Sequence, residues 1–263
     1  MIDILVQKLD LRVDRNPCIL YQMRGYGQFC PVALAAEIFA ERWTPLILRE
    51  LLSGARRFVD IHRGVPRISR NLLCLRLDAL EHSGIIRRTP MKSGRGFEYH
   101  LTKAGREFGP VVESLGVWGY KWSTHDLRDQ HLDPDFLMWV MHRLVRVENL
   151  PDRRVVVFFH FRQAPKRRYW LVLNISEVDV CLFDPNFGTD LEVEADLRAL
   201  ADITLGHLTV RQATDRGRLK LSGARPLCRE FPNWLGTAHY ASQPQLESSA
   251  RANTASVSKH YDS

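Results

Sequence analysis

Residues 31–101 read as four short helices in a row closed by a hairpin, and that order constrains the fold more than any other feature of the chain. After Pro31, VALAAEIFAERW places Val32, Ala35 or Ala36, and Phe39 at three-and-four spacing. Thr44 offers an N-cap with Pro45 at the first helical position, leading into PLILRELLSG and a closing Gly54. FVDIHRGV reads as a third helix. Beyond Pro66, Ser69 caps RNLLCLRLDALEHSG, which ends at Gly84 as a helix C-terminus often does. On a helical wheel Leu73, Leu77 and Leu80 form one face, while Arg70, Asn71, Cys74, Asp78 and Glu81 form the opposite one. The strand-like IIRRT and FEYHL flank the basic, turn-rich PMKSGRG, so residues 85–101 read as a hairpin with a cationic tip.

Four helices and a hairpin in this order predict a winged helix-turn-helix. From Thr102 a further helical stretch is interrupted at Pro110, beyond which Val111, Leu115, Trp118 and Trp122 form an apolar stripe. A helix at the edge of a small domain has little surface of its own to cover, so the stripe is expected to serve dimerisation.

Charge supports this division. Residues 23–124 hold 16 Lys and Arg against 9 Asp and Glu, which accounts for the whole net charge of +7. A basic domain joined to a neutral one suits phosphate binding by one half and another task for the other. With 263 residues, 45% of them hydrophobic and 25% charged, the chain suits two modest domains and is neither a disordered polymer nor a disulfide scaffold. No stretch is apolar enough to cross a membrane and the start does not read as a leader, so a cytoplasmic location and no membrane partner are expected. The five cysteines make no metal-like pairing, which predicts reduced thiols and no metal site.

THDLRDQHLDPD places a domain boundary near residues 124–132. Asp133 as cap and Pro134 as first residue open FLMWVMHRLVR. VVVFFHF, YWLVLN, VDVCLFD and LEVE read as strands, with turns at QAPKRR, SE and DPNFG. DLRALADITLG and LTVRQAT return to helix, RLKLSG is a short strand, and Pro226 opens a last helix. The expected fold class is thus α+β: a winged helix-turn-helix domain over residues 23–124, then a smaller α+β domain with a mainly antiparallel sheet over 133–240. Residues 1–22 read as an N-terminal extension, suggestive of a misassigned start, and 241–263 as a disordered tail.

The motifs of common catalytic sites and cofactors are missing: the GRG at residues 94–96 lies in a hairpin, where a dinucleotide turn would need a helix. His160 and Asp184 could meet across the sheet, a pairing that sheets of this size produce without chemistry. No catalytic residue and no cofactor is therefore expected. DNA binding has the stronger physical case. A helix beginning Ser69, Arg70, Asn71 can enter a major groove N-terminus first, with Arg70 offering a fork to guanine and Asn71 a donor and acceptor to adenine. Cys74 and Leu75 follow one turn on. Arg56, Arg57, Lys92 and Arg95 are candidates for backbone or minor-groove contacts.

These residues also carry a resemblance. Cys30 and Pro31, the W-x-x-x-I-L-R-E-L from Trp43 to Leu51, the R-R-F from Arg56 to Phe58, Ile68 and Ser69 agree in order and spacing with one family, as do the L-x-x-L-E-x-x-G-I-I from Leu77 to Ile86, the Y-x-L-T from Tyr99 to Thr102, and Gly105. Residues 28–122 resemble the HxlR family of bacterial winged-helix transcriptional regulators. The resemblance implies a homodimer on a pseudo-palindromic operator in double-stranded DNA, joined through the N-terminal helix and the helix after the wing. The chain departs from the commonest pattern by carrying Arg70 where Pro is frequent and Leu75 where a polar residue is frequent, so an operator sequence does not carry over. Cys30 matches a cysteine that some members use to sense electrophiles or oxidants, and a thiol near a helix N-terminus has a physical route to a lowered pKa.

Residues 133–238 resemble a sterol carrier protein-type fold, carried by RRYWLVLNISEVDVCLFDP, DLEVEADLRALADITLG and GRLKLSGARPLCREFPNWLG. By that resemblance the sheet and its helices enclose an apolar cavity, with Phe136, Trp139, Val140, Phe159, Trp170 and Phe231 as lining residues. A packed core explains the same residues equally well. The expected function is a dimeric transcription factor modulated by a hydrophobic small molecule. The alternatives are a lipid carrier with an ancillary basic domain and a thiol-based sensor acting through Cys30.

Overall fold

Pro31 at the first helical position opens α1 (Pro31–Phe39) in the computed structural model, which describes residues 25–92, 94, 96–124 and 127–242. The extension at 1–22, nearly all of the 241–263 tail and Arg95 lie outside the described residues. No residue of α1 is buried, and Val32 is 75% exposed. Helix α2 (Thr44–Leu52) starts one residue earlier than the capping pattern predicts. Trp43, in the left-handed region at φ 81°, takes the cap position, and Thr44 is a buried first residue. A bulky side chain tolerates that backbone only when packing holds it, and Trp43 rests on the first hydrophobic core.

Helix α3 (Phe58–Gly64) and helix α4 (Arg70–His82) follow. Ser69 caps α4 as expected, its Oγ accepting from the Leu72 amide at 3.2 Å, and Gly84 turns the chain away at φ 69°. Strands β1 (Ile86–Pro90) and β2 (Phe97–Leu101) pair antiparallel, Ile86 opposite Leu101. An extra bridge from Arg57 to Glu98 ties the start of α3 to the wing. Thr102 caps α5 (Lys103–Glu107), and the helix restarts as α6 (Gly109–Ser123) because Pro110 cannot donate to the preceding turn. Ile47, Leu48, Leu51, Ile61, Leu73, Leu77 and Leu80 fill the core beneath.

Helix α7 (Pro134–Arg143) opens the second half, with Asp133 Oδ1 accepting from the Phe136 amide at 3.0 Å. Among the described residues the large sheet has five strands in the order β5-β4-β3-β6-β7: β3 (Val155–Phe161), β4 (Ala164–Leu173), β5 (Val178–Cys181), β6 (Leu191–Ala195) and β7 (Leu219–Gly223). Only β3 and β6 run parallel; the other pairs are antiparallel. The turn expected over QAPKRR shrinks to Arg162 and Gln163, because β4 already starts at Ala164. Pro165 is tolerated there since β5 pairs only with Trp170 to Leu173, leaving the start of β4 an edge on that side.

Alternate residues of β3, β4 and β6 (Val155, Val157, Phe159 and Phe161; Tyr169, Leu171 and Leu173; Leu191, Val193 and Ala195) face one core. Helix α7, α8 (Leu197–Thr204), α9 (Val210–Asp215) and α10 (Arg225–Trp234) supply its other side. Helix α7 also packs against α3, which joins the two cores. No described helix is long and apolar enough to cross a membrane.

Candidate nucleic-acid interface and the cavity behind it

Leu73, Leu77 and Leu80 anchor α4 in the first core, which turns Ser69, Arg70, Asn71, Cys74 and Leu75 outward, all of them exposed. The second half of the chain does not cover them. Further along the same face Asp78 and Glu81 would repel phosphate, but Arg88 of β1 pairs with both, at 3.0 and 2.9 Å. Sequence reasoning passed over Arg88; its signal is an arginine in a strand that must pass beside two helix carboxylates.

The predicted flanking cations differ among themselves. Lys92 and Arg57 are exposed. Arg56 is half-buried and its guanidinium donates to the carbonyls of Leu51 and Ala55, at 2.7 and 2.9 Å. It satisfies the end of α2, where carbonyls lack helical partners, and so does not reach out as the sequence reading expects.

Val111, Leu115, Trp118 and Trp122 on α6 are 45, 48, 58 and 36% exposed. Phe29, Val32 and Leu34, around α1, are exposed as well. Cys30 is exposed at the N-cap of α1. The amides of Ala33 and Val32 hold its thiol below the ordinary range, although neither approach has the geometry of a capping hydrogen bond.

The six residues expected to line a ligand pocket are not brought together. Phe136 and Val140 line a cavity of about 760 Å³. Trp139 faces a smaller pocket of about 200 Å³ on the other side of α7. Phe159 and Phe231 are fully buried against each other, their ring centroids 6.2 Å apart, and Trp170 packs on Phe158 across the opposite face of the sheet. Phe159 and Phe231 are packed core where the sheet meets its helices, and Trp170 is buried on the other face of the sheet against Phe158. His160 likewise pairs with Glu192 at 3.0 Å, and Asp184 accepts from the Asn186 amide, so His160 and Asp184 form no pair.

The large cavity lies between the two halves. Leu132, Phe136, Leu137, Val140 and Leu144 form one wall, Ala201 and Leu205 of the second half another, and Tyr240 a third. Arg49 and Glu50 of α2, with Arg143 of α7, give it a charged end. Glu50 is 1% exposed. Its Oε2 accepts from Trp139 Nε1 at 3.0 Å and from Arg143 at 2.6 Å, and its Oε1 accepts from Arg49 at 2.9 Å. Buried charge of this kind is tolerable only with such partners. A glutamate on the apolar face of PLILRELL, three residues after Ile47, was the available signal.

A family model described as HxlR-like helix-turn-helix matches residues 38–127. The uncharacterized HTH-type transcriptional regulator YvaP of Bacillus subtilis (strain 168) is 32% identical over 117 residues, which cover 42% of this chain and 96% of that protein. The uncharacterized HTH-type regulator sll1512 of Synechocystis sp. is 38% identical over 113 residues, 42% of this chain and 79% of that one. Among solved structures, the redox regulator HypR in its oxidized form aligns with 30% identity and a TM-score of 0.33, over 38% of this chain and 99% of that one.

Proposed function

The chain belongs to the HxlR-like helix-turn-helix family, and from that premise we propose that it is a homodimeric transcriptional regulator that places the N-terminal turn of α4 in the major groove of a pseudo-palindromic operator. The observation that carries this reading is the open face of Ser69, Arg70 and Asn71 on a helix whose two far-end carboxylates, Asp78 and Glu81, share the pairing of Arg88. Arg70 and Asn71 read base edges, Cys74 and Leu75 touch thymine methyl groups, and Arg57, Lys92 and Arg95 hold the phosphates. The α6 stripe and α1 join the two protomers. The second half binds a hydrophobic small molecule and shifts the geometry of the dimer; what supports this is a sheet covered by helices on one face and an apolar-walled cavity at its junction with the DNA-binding half. The sterol carrier-like reading of that half rests on the same arrangement.

A mobility-shift titration with the protein's own upstream DNA tests the proposal. The wild type should prefer that fragment over random DNA, and Arg70→Ala with Asn71→Ala should reduce the preference by about 1–3 kcal/mol per lost bidentate contact. Equal binding of both proteins to both DNAs at every salt concentration would sink groove reading by α4.

A second reading has its own observation. Cys30 combines exposure with a lowered pKa, the two properties a reactive thiol needs. If it is a sensor, diamide releases the wild type from the same fragment and leaves Cys30→Ser bound. Equal sensitivity of the two proteins would end that reading. A lipid carrier with an ancillary basic domain, by contrast, binds ligand with no effect on DNA affinity.

A further inference from the structure

We infer that the cavity between the two halves takes an amphiphilic carboxylate, its head on Arg49 and Arg143 and its alkyl chain between α7 and α8. The inference rests on the reading of this protein as a ligand-modulated regulator, and it fixes both the place and the chemistry of the ligand. The volume of about 760 Å³ falls within the range of small-molecule sites, roughly 300–1,000 Å³. Leu132, Phe136, Val140, Leu144 and Leu205 present hydrocarbon, which selects an apolar body.

The charged end selects the head. Two guanidinium groups share the single carboxylate of Glu50. Arg143 gives Glu50 one nitrogen and lies 4.6 Å over the Trp139 ring; Arg49 gives Glu50 its Nε and the Gly64 carbonyl an NH2 group, and lies 5.2 Å over the Phe136 ring. A guanidinium has five N–H donors in a planar fork suited to carboxylate, so the pair retains donor capacity and an excess of one positive charge beside Glu50. The other charged groups around the cavity are already engaged. Asp133 caps α7 ten residues from Arg143, about 15 Å along the helix, and His239 pairs with Glu113 at 2.9 Å. His131 accepts from the Arg128 amide. Among the described residues that line the cavity, an anionic head therefore meets its complement at the Arg49 and Arg143 end.

The same walls support α6, whose stripe is the proposed dimer surface. Tyr240 lies over Gly116, where an added Cβ would sit 2.3 Å from its ring, and Tyr120 donates to the Leu205 carbonyl at 2.9 Å. An occupant that moves Tyr240 or Leu205 thus moves the seat of α6, which gives the ligand a physical route to the dimer.

Titration calorimetry of the full chain with dodecanoate, dodecan-1-ol and dodecyltrimethylammonium, each below its micelle concentration, tests the assignment. Dodecanoate should bind about tenfold or more tightly than the alcohol, with the cation weakest. Arg143→Gln should bring dodecanoate down to the level of the alcohol and leave the alcohol unchanged. Val140→Trp, which fills the cavity and leaves the charges in place, should abolish binding of both; it keeps the test decisive if Arg143→Gln does not fold. Equal affinities for acid and alcohol, or an unchanged preference in Arg143→Gln, overturn the head-group assignment while the ligand-modulated reading stands. Binding that survives Val140→Trp overturns the location. A folded wild type that takes up none of the three overturns both.

Discussion

His142 sits half-buried at the seam between α3 and the second half, its ring against Trp139 with centroids 4.4 Å apart. Burial lowers its pKa from the ordinary 6.5, helped by the neighbouring Arg143 and opposed by its hydrogen bond to the Trp139 carbonyl. The folded protein therefore holds this proton less tightly than the unfolded chain does. The contribution of neutral His142 to stability is complete above about pH 6.5 and is lost as the pH falls below that value. Urea midpoints measured from pH 7.5 to pH 5 should decline, and His142→Gln should decline less over the same window. Parallel pH profiles would contradict the assignment. At this scale the sequence was informative where a residue acts on its immediate neighbours: Ser69 and Asp133 cap the helices that follow them. It read Arg56 as a DNA contact and missed its turn toward the end of α2, because that depends on where the end of α2 lies in space.

Helices α4 and α6 show what an element can reveal by itself. The spacing of Leu73, Leu77 and Leu80 fixes which side of α4 is inward, so the exposure of Arg70, Asn71 and Cys74 follows directly. The α6 stripe is equally legible, and its residues remain exposed in the single chain. An apolar strip of this kind supports the proposed dimer surface. Trp118, at 58% exposure, is the place to test it. Trp118→Glu should shift the protein from dimer to monomer in analytical ultracentrifugation, with its monomer fold intact by circular dichroism. An unchanged sedimentation profile would remove the α6 stripe from the proposed dimer interface. Strand β4 marks the limit of element-level reading: its polar first half looks like a turn, and becomes strand because β3 lies alongside it.

The whole molecule is held as one by contacts that no local pattern encodes. Glu50 of α2 meets Trp139 and Arg143 of α7, 89 and 93 positions away. Its removal leaves the Trp139 N–H without its acceptor and two arginines without their carboxylate. Glu50→Ala should therefore cost about 3–5 kcal/mol, the range for breaking a buried ion pair by deleting one partner. Scanning calorimetry should show a single transition for the wild type and two separated ones for the variant, since the halves lose their main polar tie. One unshifted transition in Glu50→Ala would mean that packing alone couples the halves.

Amino-acid order alone determined the succession of helices and hairpin, the caps at Ser69 and Asp133, the outward face of α4, the apolar stripe and the basic character of the first half. Each of these depends on residues within a turn or two of one another, where periodicity and capping chemistry act. Tertiary structure alone decided that Glu50 and Arg143 would meet, that Phe159 and Phe231 would be packed core, and that the large cavity would open between the halves. The physical reason is that a cavity is the space left when segments far apart in the chain pack imperfectly, and its walls share no sequence neighbourhood from which it could be read.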